Sequence, residues 1–545
     1  MLDPAFRNPD VAGIAYNARL LVTGALPYAN SAEIKPPGAF LLFAPLLALG
    51  GMRLVWAAAV LWGTSLSLAT GALAGAVWGK NAGPRAAVLH AACAVIASDG
   101  DINYSFWMAT PFVVAAACSA AATLASDTRR AALLWFGSGL AAMLAVAIKP
   151  SAWPVCLVFA GLLTRELIRS RLERVLVAVA AGVVGAAITA TLIALPFALG
   201  GELGSLRQGL GDVAAFGNEY VAIVAHALGG RDRAVLAGLP CLFEQMPGLI
   251  ALAAFGASTL FPRREPKPPL ALAAWLFVLA AFLGVSYTLR FFSHDNVQLW
   301  PALAVIAVRP AGLVALLLDH VERVRFTVLP LTLALGLLAA VPGFEQRWGY
   351  VHYMAERDHE VDDICREVAP FLPPDQPVLA WGWSAWSVYE HCGRRAPGRI
   401  FKVVASVTTI NTNTCNNGFG PMTLRPGPAA GRFFSEIAEH PPGLFLWSSY
   451  FKEMGGDPLE DFEPLRAFLA AHYAVVDARG PFVALLRNDL IPKSPRISAQ
   501  LEPSGVSSGS GTYGWSARAG SVWTSTSRTP ENPPLMASIT QCVTR

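Results

Sequence analysis

Charge is what this sequence has least of. Asp, Glu, Lys and Arg make up 14% of its 545 residues, whereas 54% are hydrophobic and the mean hydropathy is +0.47. So little charge cannot cover the surface of a soluble enzyme of this size, and apolar runs long enough to cross a bilayer recur instead. A nucleic-acid partner is excluded as well. The formal charge of +4 comes from short basic clusters between the apolar runs and so reports topology. The eight cysteines include no Cys-x-x-Cys pair and have no His-rich neighbour, which leaves a zinc site without support. Cys93, Cys118, Cys156 and Cys241 fall in apolar segments and read as small core residues. Cys365, Cys392 and Cys415 lie in a polar C-terminal part, where two of them can pair if that part is outside the cytoplasm, with no pairing preferred. No internal repeat is present, and no signal peptide or apolar helix precedes Asp10. An outward-facing loop needs a span ahead of it, so one further helix is expected upstream of residue 1.

What is present is a series of about ten apolar segments, at 53–79, 84–98, 104–126, 131–149, 150–167, 175–201, 235–261, 270–289, 297–318 and 327–344. Lys and Arg in short loops orient them. The densest cluster, Arg165, Arg169, Arg171 and Arg174, belongs in the cytoplasm. Counting spans from there puts Lys80 with Arg85, Arg129 with Arg130, Arg263 and Arg264 with Lys267, and Arg323 with Arg325 on the same side. Residues 99–103, 202–234, 290–296 and everything after 344 fall on the other. The stretch 10–38 joins that outer side only if 39–51 does not cross. Those 13 residues cover ~20 Å as a helix against ~30 Å of hydrocarbon, so a juxtamembrane helix is expected there.

The outer side then carries cations that run against the positive-inside trend: Lys35, Lys149 and Arg290. Charge at membrane depth is by default functional, although each of the three taken alone is equally well read as snorkelling to head groups. Three converging on one face beside acidic loops point to an anion site for a lipid phosphate or pyrophosphate. The acids are Asp10, which opens an amphipathic run ending at Gly24, and Asp99 with Asp101 in Ser-Asp-Gly-Asp-Ile-Asn-Tyr. A carboxylate at an apolar boundary can have its pKa raised and serve as a general base toward a hydroxyl. Asp-x-Asp can also hold a divalent ion, or Asp99 can simply cap a helix or turn with Gly100. His294 either bridges a phosphate or is a satisfied interfacial histidine.

Residues 202–234 read as an amphipathic lid or a loose loop. Beyond 345, an amphipathic helix at 356–372, strands in PVLAWGW, GLFLWSSYF, YAVVDAR and FVALLRN, and a helix at 459–471 make a small α/β domain with no catalytic set of its own. From 493 the chain is rich in Ser, Gly, Thr and Pro and reads as disordered. The expected layout is a first loop over 1–52, an all-α polytopic membrane domain over 53–344, an extracytoplasmic α/β domain over 345–492 and a tail over 493–545.

Three segments carry a family resemblance. They are Asp10 through Gly24-x-x-Pro27-Tyr28 to Lys35-Pro36-Pro37-Gly38; Asn103-Tyr104-Ser105-Phe106-Trp107-Met108-x-x-Pro111; and Arg290-Phe291-Phe292-Ser293-His294 leading to Gln298-Leu299-x-Pro301. In this order they resemble the polyprenyl-phosphate-dependent glycosyltransferases of the GT-C fold. The nearest likeness is to the bacterial branch of the protein mannosyltransferase family (glycosyltransferase 39/83-like) that includes the lipid A aminoarabinose transferases. The resemblance covers roughly residues 8–310 and implies a multi-pass protein of the bacterial inner membrane with an extracytoplasmic site. By the resemblance Asp10 is the catalytic base and Lys35 contacts the lipid phosphate; beside that carry-over, Tyr28, Asp99, Asp101, Asn103, Lys149, Arg290 and His294 are the further residues expected at the substrate site. The implied reaction moves a sugar from a polyprenyl phosphate to a lipid, glycan or protein acceptor with inversion. It requires no cofactor, since fixed cations stabilise the leaving phosphate, and a divalent metal remains possible at Asp99 and Asp101. Three departures stand out: Val11 follows Asp10 where relatives have Glu, Ser105 stands where an acid is common, and the first span is missing. A transporter or flippase of lipid-linked material and a catalytically inactive homologue are the rival readings.

Overall fold

The computed structural model describes residues 6–491 except 7, 98–101, 170, 259–269, 311, 313, 315–316, 321–327, 342–343, 416–421 and 450–455. Asp99, Asp101 and the tail from 493 therefore lie outside the described residues. The first helix, α1 (Pro9–Val22), starts where the Asn8 side chain accepts the Asp10 backbone N–H at 2.8 Å and Pro9 takes the first turn. α2 (Gly38–Trp78) follows and is broken at Gly50–Gly51, where Gly51 takes a φ of +62° that a side chain would resist. That break sets the 39–51 segment apart from the part matching the expected 53–79 span.

α3 (Ala82–Ala97), α4 (Tyr104–Leu124), α5 (Thr128–Ile148), a 3-10 segment Pro150–Val155 continuing into α6 (Cys156–Ile168), and α7 (Leu172–Leu199) match the next spans within a few residues. Among the described residues, α2, α4, α5, Pro150–Ile168 and α7 are long and apolar enough to cross a membrane. α5 and α7 approach backbone to backbone: a Cβ on Gly139 would lie 2.0 Å from the Gly182 carbonyl oxygen, and one on Gly185 2.2 Å from that of Phe136. Small residues permit this contact between lipid-embedded helices, where dispersion rather than water exclusion holds the pair.

Later elements depart from expectation. Residues 202–234 are no loose loop, because α8 (Leu203–Ala227) fills most of them. The single span read at 235–261 is instead two helices, α9 (Arg231–Gln245) and α10 (Pro247–Ala257), bent by 99°. Met246 leaves the helical region and Pro247, with no N–H to donate, can only begin a new helix. α11 (Ala271–Ser286), a 3-10 turn Ser293–Gln298, α12 (Trp300–Ala307) and α13 (Val328–Ala340) complete the apolar part.

α14 (Phe344–Val368) leads into the α/β domain, made of β1 (Val378–Trp381), α15 (Val388–His391), α16 (Pro428–Glu439), β2 (Leu444–Ser448), α17 (Glu463–His472), β3 (Tyr473–Arg479) and β4 (Phe482–Arg487). The sheet order is β1-β2-β4-β3, with β1 and β2 parallel and the other pairs antiparallel. Register partners Trp381 and Trp447 both donate their indole N–H to Asp457, at 3.0 and 2.5 Å, satisfying a buried carboxylate. The domain packs directly on α1, with Tyr16 stacked on Phe401 at 4.3 Å and tilted against Tyr389 at 4.8 Å.

The cysteines also correct the reading. Cys241 on α9 is not merely a small core residue but is bonded to Cys415, and Cys365 is bonded to Cys392; Cys93, Cys118 and Cys156 are outside these disulfides, and Cys156 is exposed. Two half-cystines far apart in sequence cannot be matched from spacing alone. Peptide mapping without reductant is expected to recover Cys241 joined to Cys415 and Cys365 joined to Cys392. Removing the second bridge by Cys365→Ser/Cys392→Ser should cost about 2–4 kcal/mol in detergent unfolding.

Candidate active site

The geometry starts at the N-terminus of α1. Asp10 sits in its first turn, where a carboxylate is favoured by the helix dipole. The chain returns through a turn in which Tyr28 takes a positive φ of 66°, a conformation costly for an aromatic residue. Packing holds it there: Tyr28 lies 6.0 Å from Phe197 and 6.3 Å from Phe40, and a Cβ on Gly209 of α8 would fall 2.3 Å from its ring. The Tyr28 hydroxyl donates to the Lys35 carbonyl at 2.6 Å. Tyr28, expected at the substrate, thus closes the turn that presents Lys35.

Lys35 then meets Asp10, Nζ to Oδ2, at 3.6 Å. The same ammonium lies 4.9 Å above the Tyr104 ring at the start of α4. Burial alone would raise the Asp10 pKa, but Lys35, then Lys402, His294 and Lys149, hold it below the ordinary carboxylate value. The expectation of a raised Asp10 thus reverses, because four cationic or cationisable neighbours outweigh desolvation. Burial pulls Lys35 down, and Asp10 foremost more than restores it, so its ammonium is held above the ordinary lysine value.

A second pair stands beside the first. Lys149, the residue capping the end of α5, donates to Asp295 Oδ1 and, at 2.6 Å, to the Ser105 hydroxyl, which itself donates to Asp295 at 3.2 Å. His294 Nε2 is 3.7 Å from the same carboxylate oxygen. Burial raises Asp295, but Lys149 first and then His294 bring it down to about 2. Asp295 was legible only as one letter of the 290–296 motif; its pairing with Lys149, 146 residues earlier, has no local signal. Ser105, the departure from the acidic pattern, is the bridge between the two. Asn103 caps α4: its side chain accepts the Ser105 N–H at 2.8 Å.

Arg290 is not brought to Lys35 as a free cation. Its guanidinium donates to Asn411 Oδ1 at 2.7 Å, to the carbonyls of Asn413 and Asn411 at 2.9 and 2.6 Å, and to Asn413 Oδ1. It also stacks on Tyr220 of α8 at 3.8 Å. The Cys415 N–H donates to the Arg290 carbonyl at 2.9 Å, beside the Cys241–Cys415 bond. A planar donor fork is suited to such multiple acceptors, and only the fold brings 411–415 there. Among the described residues, no group of three or more His, Cys, Asp and Glu side chains could hold a metal ion.

The chain just ahead of α1 is tied to α14, which leads into the α/β domain. The Phe6 N–H donates to Asp358 Oδ2 at 2.8 Å, and His391 lies between Asp358 at 2.9 Å and Asp362 at 3.2 Å.

The polytopic helices, the site at one end of them and the appended sheet domain make this a GT-C fold. Neither a family model nor a curated protein matches the chain. Among solved structures it is similar to ArnT from Cupriavidus metallidurans in the apo state, with a TM-score of 0.56 at 14% identity over 89% of this chain and 94% of that one. The same protein bound to undecaprenyl phosphate gives 0.55 at 15%, over 90% and 96%. The oligosaccharyltransferase AglB from Archaeoglobus fulgidus gives 0.48 at 12%, over 89% and 71%. At these identities the likeness is one of fold.

Burial lowers the His391 pKa, but the Asp358 hydrogen bond leads the carboxylates in raising it overall. A raised histidine stabilises the fold fully below the unfolded value of about 6.5 and loses that contribution as pH rises through its folded pKa. Thermal unfolding should therefore show His391→Gln costing more Tm at pH 6 than at pH 9, with the gap closing on the alkaline side.

Proposed function

We propose that the chain is an integral-membrane glycosyltransferase that moves a sugar from a polyprenyl-phosphate donor to an acceptor hydroxyl, with inversion, at the extracytoplasmic face of the bacterial inner membrane. The observation that carries the reading is the 3.6 Å meeting of Asp10 and Lys35 at the boundary of the apolar helices. The fold shared with ArnT, a protein solved with undecaprenyl phosphate bound, supports the donor class. The sidedness rests on charge: Pro150–Ile168 and α4 each run from the site to an arginine cluster, Arg165 to Arg174 and Arg129 with Arg130. The α/β domain, which packs on α1 beside the site, falls on the outer side with it.

The reaction breaks the bond between the sugar C1 and the phosphate oxygen as the acceptor oxygen attacks from the opposite face. Lys35 takes up charge on the leaving phosphate, with Lys149 near enough in the same field to assist. Asp10 receives the hydroxyl proton. Held low by Lys35, Asp10 is a weak base in the empty site. A donor phosphate competing for the Lys35 ammonium weakens that hold, so Asp10 becomes a better base only when a donor is present. Arg290 acts through the 411–415 loop it organises. The acceptor class stays lipid, glycan or protein.

A transporter of lipid-linked material is the second reading, favoured by the 99° break between α9 and α10. Covalent transfer of label separates the two. Purified protein given a labelled polyprenyl-phosphate sugar and an acceptor extract should form labelled product, and Asp10→Asn should lose at least about a hundredfold in kcat. Product formation undiminished in Asp10→Asn defeats the reading. Lys35→Met should raise the acid limb of the pH–rate profile, because Asp10 loses its foremost cation.

A further inference from the structure

Next to the Asp10–Lys35 pair lies a buried ion pair that the reaction as described does not use. Lys402, on the segment after α15, donates to Glu33 Oε2 at 3.0 Å, with the two side chains 5% and 0% exposed. The other Glu33 oxygen accepts the backbone N–H groups of Ile34 and Lys35 at 2.8 and 3.1 Å. Asn17 of α1 donates to Glu33 at 2.8 Å and to the Gly13 carbonyl at 2.9 Å, and Ser31 donates to Asn17 at 2.6 Å. Lys402 Nζ also sits 4.6 Å over the Trp386 ring and 5.0 Å over that of Phe401. It reaches this place because α1 has no side chain there: a Cβ on Gly13 would lie 2.3 Å from Lys402 Nζ. Gly13 is one helical turn after Asp10.

We propose that Lys402, supplied by the α/β domain, is a positioning residue for the Asp10–Lys35 pair, acting through Glu33 on the backbone that carries Lys35 and by its charge on Asp10. The inference rests on the glycosyltransferase reading. A buried carboxylate left without its lysine would seek water or another cation, and Lys35, two residues away, is the nearest in sequence. Lys402 prevents that by occupying Glu33, which leaves Lys35 for Asp10 and for a phosphate. The cationic or cationisable groups acting on Asp10 are Lys35, Lys402, His294 and Lys149, with the Tyr104 and Tyr220 hydroxyls in the same field, so removing Lys402 leaves three of the four in place. The domain thus reaches into the site, although nothing in its sequence reads as a catalytic set.

The test uses the full chain in nanodiscs with undecaprenyl phosphate as probe. Lys402→Met alone risks unfolding, so two gentler variants carry the test. Glu33→Gln/Lys402→Met removes both buried charges while keeping a side-chain oxygen for the Ile34 and Lys35 N–H groups. Gly13→Ala displaces the ammonium without deleting it. Both should unfold cooperatively, bind the probe about tenfold more weakly at pH 7, and move the acid limb of binding upward. A purely structural pair would not move that limb. Folded variants with wild-type affinity and an unchanged limb overturn the inference, provided Lys35→Met weakens binding. Wild-type affinity in Lys35→Met overturns the functional reading and this inference with it.

Discussion

An ammonium and a carboxylate at the edge of a membrane domain attract each other strongly, and the surrounding structure fixes how closely they meet. Asp10 and Lys35 lie 3.6 Å apart, close enough to hold the carboxylate low yet longer than a tight ion pair. Each has a fixed backbone. Asp10 is set by the Asn8 cap and the start of α1, and Lys35 by a turn closed through Tyr28 and Glu33. The Asp10 and Lys35 side chains are 19% and 32% exposed, so the charges act through a dielectric lower than that of a fully exposed surface. An anion arriving at Lys35 therefore changes Asp10 by more than it would in solvent.

The surroundings repeat one device. Lys149 is matched by Asp295, Lys402 by Glu33 and Arg290 by the Asn411–Asn413 segment, so the cations near the site are held on specific partners. Burying each charge alone would be prohibitive; burying it with a partner is affordable in free energy and leaves it fixed in direction. Lys35 differs in resting on Asp10 at longer range and on the face of Tyr104. The α/β domain contributes to this arrangement through Lys402 and Asn411–Asn413, and disulfides fasten it both internally and to α9. A domain that reads from its strands as an accessory is, by contact, part of the wall around the pair.

Local signals carried far where the physics is local. Span positions follow from runs of apolar residues, and α3 to α7 fall within a few residues of the expected segments. Charge parity set 39–51 apart from the span that follows, and a helix break does fall there, at the glycine pair of α2. The strands of the sheet domain follow from short apolar runs between turns. The 235–261 span failed because hydropathy sums over a window and cannot register that Pro247 turns the chain by 99° within it. Of the two readings of 202–234 only the loose loop failed, because α8 is held by contacts such as Gly209 on Tyr28, which lie outside its own sequence.

By itself, then, the sequence determined what depends on neighbours along the chain: a membrane protein, most of its apolar helices, and Asp10 and Lys35 as the residues to watch. Only the tertiary structure decided who pairs with whom. Asp295 answers Lys149, Lys402 answers Glu33, Cys241 answers Cys415, Arg290 answers Asn411 and Asn413, and the Tyr28 hydroxyl answers the Lys35 carbonyl. The reason is electrostatic and steric at once. A buried charge must be satisfied by whatever the packing places within about 3 Å, and that partner is chosen by how helices and domain assemble.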